Sequence, residues 1–299
     1  MFKLAALAAA VGVATPAMAS IVVDGTAEAA YGPALAVQGI GTAFGNSNLG
    51  QTMFANGSEL DAAYGVVVGS SLYLVLAGNL ESNFNKLEIF IDSGSGGQNK
   101  LRGDNPDVDF NGLNRMGDDG SGNGLTFDSD FTANHFIMVT LGGAGPEMFA
   151  NYAPILTGGG GSGTFLGGSG SGNPTITGAL GINIAINNSN TAGVGPGTGA
   201  DSGAGVVTGI ELEIPLSLLA PDTLTLKISA FINGSGHDFL SNQVLGSLPV
   251  GTGNLGEPRS VNFANIDGNQ YFTIVIPEPA ALGLLAPMAL LATRRVRRA

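Results

Sequence analysis

Cysteine is absent from this 299-residue chain, and so is tryptophan. Without thiols the chain can form no disulfide framework, zinc–thiolate site or thiol nucleophile. If it is exported, burial of its core must stabilise it, with a bound metal ion as the other available aid. The lack of tryptophan, together with only five tyrosines, argues against the aromatic-lined clefts in which glycosidases place their paired carboxylates.

Basic residues are scarce, with 11 Lys and Arg against 23 Asp and Glu. Five of the basic residues lie near the two ends of the chain. Residues 20–279 therefore hold six basic and 23 acidic side chains, a formal charge of −17. This balance argues against nucleic acid as a partner, because phosphate binding needs basic patches. It fits a soluble extracellular protein that binds cations or stays dispersed by self-repulsion.

Helix-favouring composition is also missing, since charged residues make up only 11% and 49 residues are glycine. Short apolar or alternating segments separated by Gly, Asn, Asp and Ser are typical of strands instead. The alternation at Leu87-Glu88-Ile89, and again around Glu211, predicts strands with one wet face. The predicted strands are residues 63–68, 72–77, 86–91, 135–141, 182–186, 206–214, 223–232 and 271–276. Residues 69–71 predict a hairpin turn, and residues 216–219 one helical turn.

These segments predict an all-β fold. We expect a single antiparallel β-sandwich over residues 20–276, of jelly-roll or immunoglobulin-like type, with long glycine-rich loops. The loops are residues 157–173 and 187–205, which are flexible by composition. Two domains separated by these loops are the alternative. One sandwich is favoured, because neither flanking half has enough strands to close a core alone.

An acidic segment between residues 103 and 130 holds seven carboxylates. Within it, the sequence DVDFNG matches the opening of a twelve-residue calcium loop, in which hard oxygen ligands alternate and glycine permits a sharp turn. Arg115 at the ninth position and the lack of flanking helices depart from an EF-hand. A solvated loop whose Asp, Asn and Gly residues form turns is the open alternative. The predicted Ca²⁺ ligands are Asp107, Asp109, Asn111, the Leu113 carbonyl and Asp118.

Catalytic constellations are weak in this sequence. His135 begins an apolar run and is interpreted as a strand residue, whereas His237 follows a Gly- and Ser-rich turn. No G-x-S-x-G stretch lies at a strand-to-helix turn, and no glycine-rich run carries the lysine of a phosphate-binding loop. The chain is therefore predicted not to be an enzyme. A secreted glycoside hydrolase or esterase remains the alternative.

The first 19 residues have the layout of a secretory signal peptide. A short positive start at residues 1–3 precedes an apolar stretch, and Ala17-Met18-Ala19 forms an A-x-A cleavage site before Ser20. A buried N-terminal helix is the alternative. The pattern predicts cleavage by signal peptidase, with the mature chain starting near Ser20.

The last residues form three parts in order, a Pro-Glu-Pro motif, a short apolar segment and an arginine cluster. The apolar run of residues 280–292 is shorter than the roughly 20 residues that a bilayer-spanning helix needs. The three parts together resemble the PEP-CTERM sorting signal of Gram-negative bacteria. Positive charge tends to stay cytoplasmic, which suits a transient anchor. The residues that carry the resemblance are Pro277, Glu278, Pro279, Arg294, Arg295, Arg297 and Arg298.

This resemblance implies that residues 277–299 anchor the chain transiently in the inner membrane through a short apolar helix. An exosortase then processes the chain near the Pro-Glu-Pro motif, and the protein reaches the cell surface or the extracellular matrix, often alongside exopolysaccharide. More loosely, residues 21–32, 70–80, 86–97 and 209–219 resemble segments of DOMON-like and family-nine carbohydrate-binding sandwiches.

The sequence as a whole predicts an exported, non-enzymatic protein that acts as a structural or adhesive component of the surface or the polysaccharide matrix. Calcium is the one cofactor that the sequence suggests. A carbohydrate-binding module is the alternative function, because it is what the second resemblance implies.

Overall fold

The computed structural model describes residues 21–246 and 248–278 of the chain. Several predictions concern residues outside this range and stay predictions. They are the signal-peptide cleavage site (Ala17, Ala19 and Ser20), Pro279 of the sorting motif, the short apolar helix after it, and the cluster of Arg294, Arg295, Arg297 and Arg298.

Within the described residues the chain forms 13 strands, two single-turn α-helices and four 3-10 turns. The strands are β1 (Ala36–Val37), β2 (Glu59–Val68), β3 (Ser71–Asn79), β4 (Asn83–Asp92), β5 (His135–Gly142), β6 (Glu147–Pro154), β7 (Thr164–Gly168), β8 (Thr175–Thr177), β9 (Asn183–Ile186), β10 (Gly209–Pro215), β11 (Thr225–Asn233), β12 (Leu240–Leu245) and β13 (Phe272–Val275). The helices are α1 (Gly112–Arg115) and α2 (Leu216–Leu219), and the 3-10 turns are Ala29–Tyr31, Ala179–Gly181, Pro258–Ser260 and Phe263–Asn265.

The strands assemble into two antiparallel sheets. The first has the order β1-β2-β3-β10-β9-β8, and the second has the order β12-β11-β4-β5-β6-β7. Strand β13 also pairs with β11, on the half of that strand that β12 leaves unpaired. Among the described residues no helix is long and apolar enough to cross a membrane. The prediction of a mostly β protein built from antiparallel strands is confirmed.

Hydrophobic alternation located most of the strands. All eight predicted segments overlap observed strands, residues 216–219 form α2, and β2 joins β3 through the two-residue turn Gly69-Ser70. Strand β12 was missed because it reads LSNQVL and is buried on both faces, so its sequence does not alternate. Strand β7 was also missed, and it corrects the prediction that residues 157–173 form only a loop.

Side chains from both sheets meet in one large apolar core. Strands β3 and β10 contribute residues such as Leu74 and Leu212 from the first sheet, and β4 and β11 contribute Ile89 and Ile228 from the second. All four are fully buried. Burial of each such side chain stabilises the fold by about 1.5–3 kcal/mol, so the contact between the sheets is a main source of stability.

The outer face of the second sheet is covered around Phe90, Phe136 and Phe231, which corrects the prediction of a wet face on β4. The long connection between β4 and β5, residues 93–134, folds back over this face. Phe90 of β4 packs there against Phe127 of the connection, with ring centroids 4.9 Å apart. Glu88, which the alternation placed on the wet face, is consequently 0% exposed.

In the first sheet, Glu211 of β10 is covered in a similar way by residues 24–31. The backbone N–H groups of Asp24, Gly25 and Thr26 donate to Glu211 Oε2 over 2.8, 2.8 and 3.3 Å, and the Tyr31 hydroxyl donates to Oε1. Burial raises the pKa of this carboxyl above its ordinary value, although these hydrogen bonds oppose the rise. The start of the described chain is thereby fixed on the sheet.

Two further acids, Glu59 and Asp61 of β2, are fully buried. Glu59 Oε2 accepts a hydrogen bond from the Ser47 N–H over 3.1 Å, whereas Oε1 has no hydrogen-bond partner within residues 21–246 and 248–278. Burial, with the charge of Asp61 nearby, raises the pKa of Glu59 to about 8, and burial raises the pKa of Asp61 to about 7. Glu59 therefore carries a proton at neutral pH.

This protonation predicts a pH-dependent stability. The pKa of Glu59 rises from 4.5 to about 8 on folding, so the proton contributes stability below pH 4.5, and that stability is lost as the pH rises through about 8. Glu59→Gln keeps the neutral shape and removes the titration. We compare the free energy of unfolding of the variant with that of the wild type, measured in urea. This difference should shift in favour of the variant by at least about 1 kcal/mol from about pH 5 to about pH 9.

The matched control is Asp267→Asn, which alters an exposed carboxylate. It should shift the free energy of unfolding equally at both pH values. A difference between wild type and Glu59→Gln that does not change with pH would contradict the buried proton.

Candidate functional site

Four ionisable side chains meet beneath the connection that covers the second sheet. Lys86 Nζ lies 2.6 Å from Asp109 Oδ2, and His237 Nε2 lies 2.7 Å from the same oxygen. On its other side, His237 Nδ1 lies 2.6 Å from Glu88 Oε1. The four side chains are between 0% and 9% exposed. They form a linear buried network, here called the charged cluster, in the order Lys86, Asp109, His237, Glu88.

Strand geometry and two tight turns bring the cluster together. Lys86 and Glu88 are two residues apart on β4, so their side chains leave the same face. His237 lies in the turn between β11 and β12, where its N–H donates to the Gly234 carbonyl over 3.0 Å. Gly112 allows the connection to close over the ring, because a Cβ there would lie 2.2 Å from His237.

The backbone of the site is strained. Asp109, Phe110 and Asn111 have φ values of 47°, 55° and 66°, three successive non-glycine residues in the left-handed region. Phe84 and His237 also have positive φ values. The site therefore holds five of the seven non-glycine residues with positive φ in the described chain. Each costs of the order of 1–3 kcal/mol, and such strain concentrates at functional sites. The network of side-chain contacts holds this conformation in place.

Charge partners set the protonation of the cluster. Burial alone would lower the pKa of His237, but Glu88 and Asp109 outweigh it and raise that pKa to about 9. Burial opposes ionisation of Asp109, but hydrogen bonds from His237 and Lys86 leave its pKa below the ordinary value. The ring is therefore an imidazolium at neutral pH. Removal of one member of such a network typically costs about 3–5 kcal/mol, because its partner stays buried and unpaired.

Two clefts open beside the cluster and share Lys86, Asp109 and Phe110 as lining residues. The first, the polar cleft, has a volume of about 360 Å³. Its charged rim consists of paired side chains, since Arg115 binds Glu257 in a bidentate arrangement and Arg259 lies 3.1 Å from Asp119. The lining of the polar cleft also includes Asn111, Asn114, Ser235 and His237.

The second, the aromatic cleft, has a volume of about 460 Å³ and lies on the outer face of the second sheet beside the covering connection. Four neighbouring strands, β4 to β7, form its floor. Across them Lys86 pairs with Thr140, Thr140 with Phe149, and Asn151 with Phe165. Phe84 and Phe110 complete the lining.

The aromatic rings of this cleft face solvent. Phe84, Phe165 and Phe110 are 43%, 58% and 100% exposed. The backbone strain at Phe110 thus holds an apolar ring in water at the junction of the two clefts. Exposed apolar surface of this kind, rimmed by polar groups, is typical of places where ligands or partners bind.

The predicted calcium ligands are placed apart or bonded elsewhere. Asp109 belongs to the charged cluster. Asn111 Oδ1 accepts from Asn114 Nδ2 over 2.7 Å, and Asp118 Oδ1 accepts from the N–H groups of Gly120 and Gly122. Leu113 is buried in α1, and Asp107 is exposed. In the part of the chain that the structure describes, no group of three or more His, Cys, Asp or Glu is arranged to hold a metal ion. Calcium binding stays a prediction.

The described part of the predicted sorting motif follows β13 directly. Pro277 and Glu278 are exposed, and Pro277 borders an apolar cleft with Leu224 and Ile276. His135, interpreted as a strand residue, begins β5 and is buried, with Nδ1 2.9 Å from the Tyr152 hydroxyl. Burial lowers the pKa of His135.

No sequence pattern indicates Lys86, Glu88 or His237 as site residues. Glu88 resembled the wet-face residue of an ordinary strand, and His237 a residue of a Gly- and Ser-rich turn. Scarcity is the one signal for Lys86 and His237, because the chain has two histidines and few lysines, and Glu88 has no such signal. His237 and Glu88 are 149 positions apart in sequence, so only the folded chain brings them into contact.

No protein-family model, curated protein or solved structure matches this chain. The resemblances drawn from the short motifs stay predictions, and the evidence for the candidate site is its geometry.

The contacts of Asp109 yield a prediction about calcium. A calcium ion bound by residues 107–118 must compete with Lys86 and His237 for this carboxylate. Lys86→Met removes the ammonium and leaves the loop more negative. We therefore expect millimolar calcium to raise the melting temperature of Lys86→Met more than that of the wild type, with tighter binding in a calcium titration.

The control variant is Lys100→Met, whose ammonium donates to the Gly122 carbonyl and lies outside the charged cluster. It should respond to calcium as the wild type does. If calcium moves the melting temperature of neither wild type nor Lys86→Met, residues 107–118 do not form a calcium site.

Proposed function

We propose that this chain is an exported, non-enzymatic β-sandwich protein, sorted to the cell surface or the extracellular matrix, where it acts as an adhesive or structural component that holds polysaccharide. The observation that carries the binding part of this proposal is the aromatic cleft, in which Phe84, Phe110, Phe149 and Phe165 surround polar groups on a sheet face. The two antiparallel sheets with a shared core support the sandwich.

A glycan suits the chemistry of this cleft. Sugar rings present an apolar C–H face, which packs against the electron-rich face of an aromatic ring. Their hydroxyls need hydrogen-bonding partners, and Lys86, Thr140 and Asn151 lie on the floor of the cleft. Binding sites generally combine an apolar lining with a few polar groups that fix orientation. Phenylalanine here takes the place of the tryptophan that the sequence lacks.

Charge favours a neutral glycan over an acidic one. The chain carries a formal charge of −12, and residues 20–279 carry −17. A polyanionic saccharide would be repelled at a distance, because the net charge of a protein governs its encounter with charged ligands. The cations that line the clefts are paired with carboxylates and offer little excess positive charge.

The charged cluster supports the non-enzymatic part of the proposal. Both ring nitrogens of His237 are engaged by carboxylates, so the imidazole has no free nitrogen to act as a base on a bound substrate. A secreted glycoside hydrolase or esterase is the competing proposal. A broad screen of glycosidase and esterase substrates tests it, and turnover that Asp109→Ala abolishes would favour it.

Export and sorting are proposed from the terminal motifs. Signal peptidase and an exosortase are the processing partners, with a transient stay at the inner membrane and exopolysaccharide as the surrounding material. Pro277 and Glu278 support this proposal, because both are exposed immediately after the last strand, where a processing enzyme can reach them.

Glycan binding is tested by a glycan array followed by affinity measurements. We expect robust binding to one class of neutral glycan. Phe110→Ala removes a ring that is 100% exposed and should weaken binding about tenfold, since one aromatic contact contributes about 1–1.5 kcal/mol.

The matched control is Phe54→Ala, because Phe54 is 39% exposed and lies outside both clefts. It should leave the affinity unchanged. Failure of the wild-type protein to bind any glycan class would refute this part of the proposal.

Sorting is tested by mass spectrometry of the natural secreted protein. We expect an N-terminus near Ser20 and a C-terminus close to Pro277-Glu278-Pro279, because both terminal segments are signals that processing removes. A mature C-terminus beyond Arg294 would show that the tail is retained and would refute the sorting proposal.

A further inference from the structure

Lys86 and Asp109 place a primary amine against a carboxyl group inside the protein. Nζ and Oδ2 are 2.6 Å apart, and the two side chains are only 6% and 9% exposed. One partner is fixed on β4, and the other lies in the strained turn before α1. This contact differs from the other lysine–carboxylate pairs among the described residues, in which Lys227 is 24% exposed and lies 3.2 Å from Asp130 and 4.0 Å from Asp92.

We propose that Lys86 and Asp109 condense to form an intramolecular isopeptide bond. The bond between Lys86 Nζ and Asp109 Cγ forms, and the bond between Cγ and Oδ2 breaks. Oδ2 leaves as water with two protons that come from the ammonium group, and Oδ1 becomes the amide oxygen. The step is a condensation and needs no oxidant, reductant or other reagent.

Proximity and burial favour this reaction. Groups held in contact within one molecule react with effective concentrations of about 10⁵–10⁸ M. The reactive forms are the neutral amine and the neutral acid, which a single proton transfer along the 2.6 Å contact produces. The amide is uncharged, so its formation removes two buried charges whose desolvation is unfavourable.

The rest of the charged cluster is placed to move the protons. His237 Nε2 lies 2.7 Å from Oδ2, the leaving oxygen, to which an imidazolium donates a proton. The ring then recovers a proton from the nitrogen as the amide forms. Glu88 is a positioning residue, since its Oε1 accepts from His237 Nδ1 over 2.6 Å. Both clefts adjoin the reacting atoms and let the water leave.

A second feature of Glu88 points the same way. Its Oε2 is buried and has no hydrogen-bond partner among the described residues. An unpartnered buried acceptor is unfavourable, and each case needs an explanation. Here the oxygen is placed to accept the second proton from the nitrogen and to pass it to the ring through the same carboxyl group, because Lys86 and Glu88 leave β4 on the same face.

The crosslink would stabilise a protein that has no cysteine. It would tie β4 to the connection between β4 and β5 and fix the strained turn that presents Phe110. A covalent link stabilises a fold chiefly by restricting the unfolded chain, as a disulfide does. This proposal goes beyond glycan binding and does not depend on it.

Peptide mapping of the purified full-length chain under denaturing conditions tests the bond directly. Trypsin should fail to cut after Lys86, and residues 103–115 should not appear as a linear peptide. In their place we expect one branched species that joins both segments and is lighter than their sum by one water molecule.

Three variants sharpen the test. Lys86→Met should restore the linear peptide, and the matched control Lys227→Met should retain the branched species. Asp109→Asn should lose ammonia instead of water and give a branched peptide identical to that of the wild type. An ionic pair cannot produce this result.

Quantitative recovery of linear residues 103–115 from the wild-type protein, with no loss of mass, would overturn the proposal and leave an ionic pair only. A loss of water that persists in Lys86→Met would overturn it too, because another pair would then be crosslinked. The wild-type result needs no variant, so it stands whether or not a variant folds.

Discussion

The contact between Lys86 and Asp109 is the constraint on which the outer half of this structure depends. It ties the long connection of residues 93–134 to β4, at the place where that connection crosses the second sheet. The apolar residues of the connection then cover the sheet and bury Glu88, which in turn requires His237 as a partner. The cover and the charged cluster are therefore mutually dependent, because neither buried carboxylate is tolerable without its cationic partner.

The same contact shapes the surface that a ligand would meet. Asp109 reaches Lys86 and His237 with the turn through Asn111 in the left-handed region, and that turn projects Phe110 between the two clefts. A buried interaction thus determines the position of an exposed ring. The aromatic cleft has a rigid floor because it consists of paired strands, and a rigid site loses little conformational entropy when it binds.

Sequence patterns predicted the scaffold better than the site. Alternation located strands such as β4 and β10, because period-two spacing is a local property of the backbone. It misassigned the exposure of Glu88 and Glu211, since a polar residue on a strand face is wet only if nothing covers that face. The carboxylates of the acidic segment predicted a calcium site, yet Asp109 alone among the predicted ligands joins the charged cluster.

Composition and short local patterns are enough to establish the all-β class, the acidic charge, the absence of any disulfide and the terminal motifs from which export is proposed. The convergence of β4, the connection and the turn after β11 is visible only in the folded chain. That convergence joins residues up to 149 positions apart, and it depends on strand pairing and on the burial of loops, which no local pattern records.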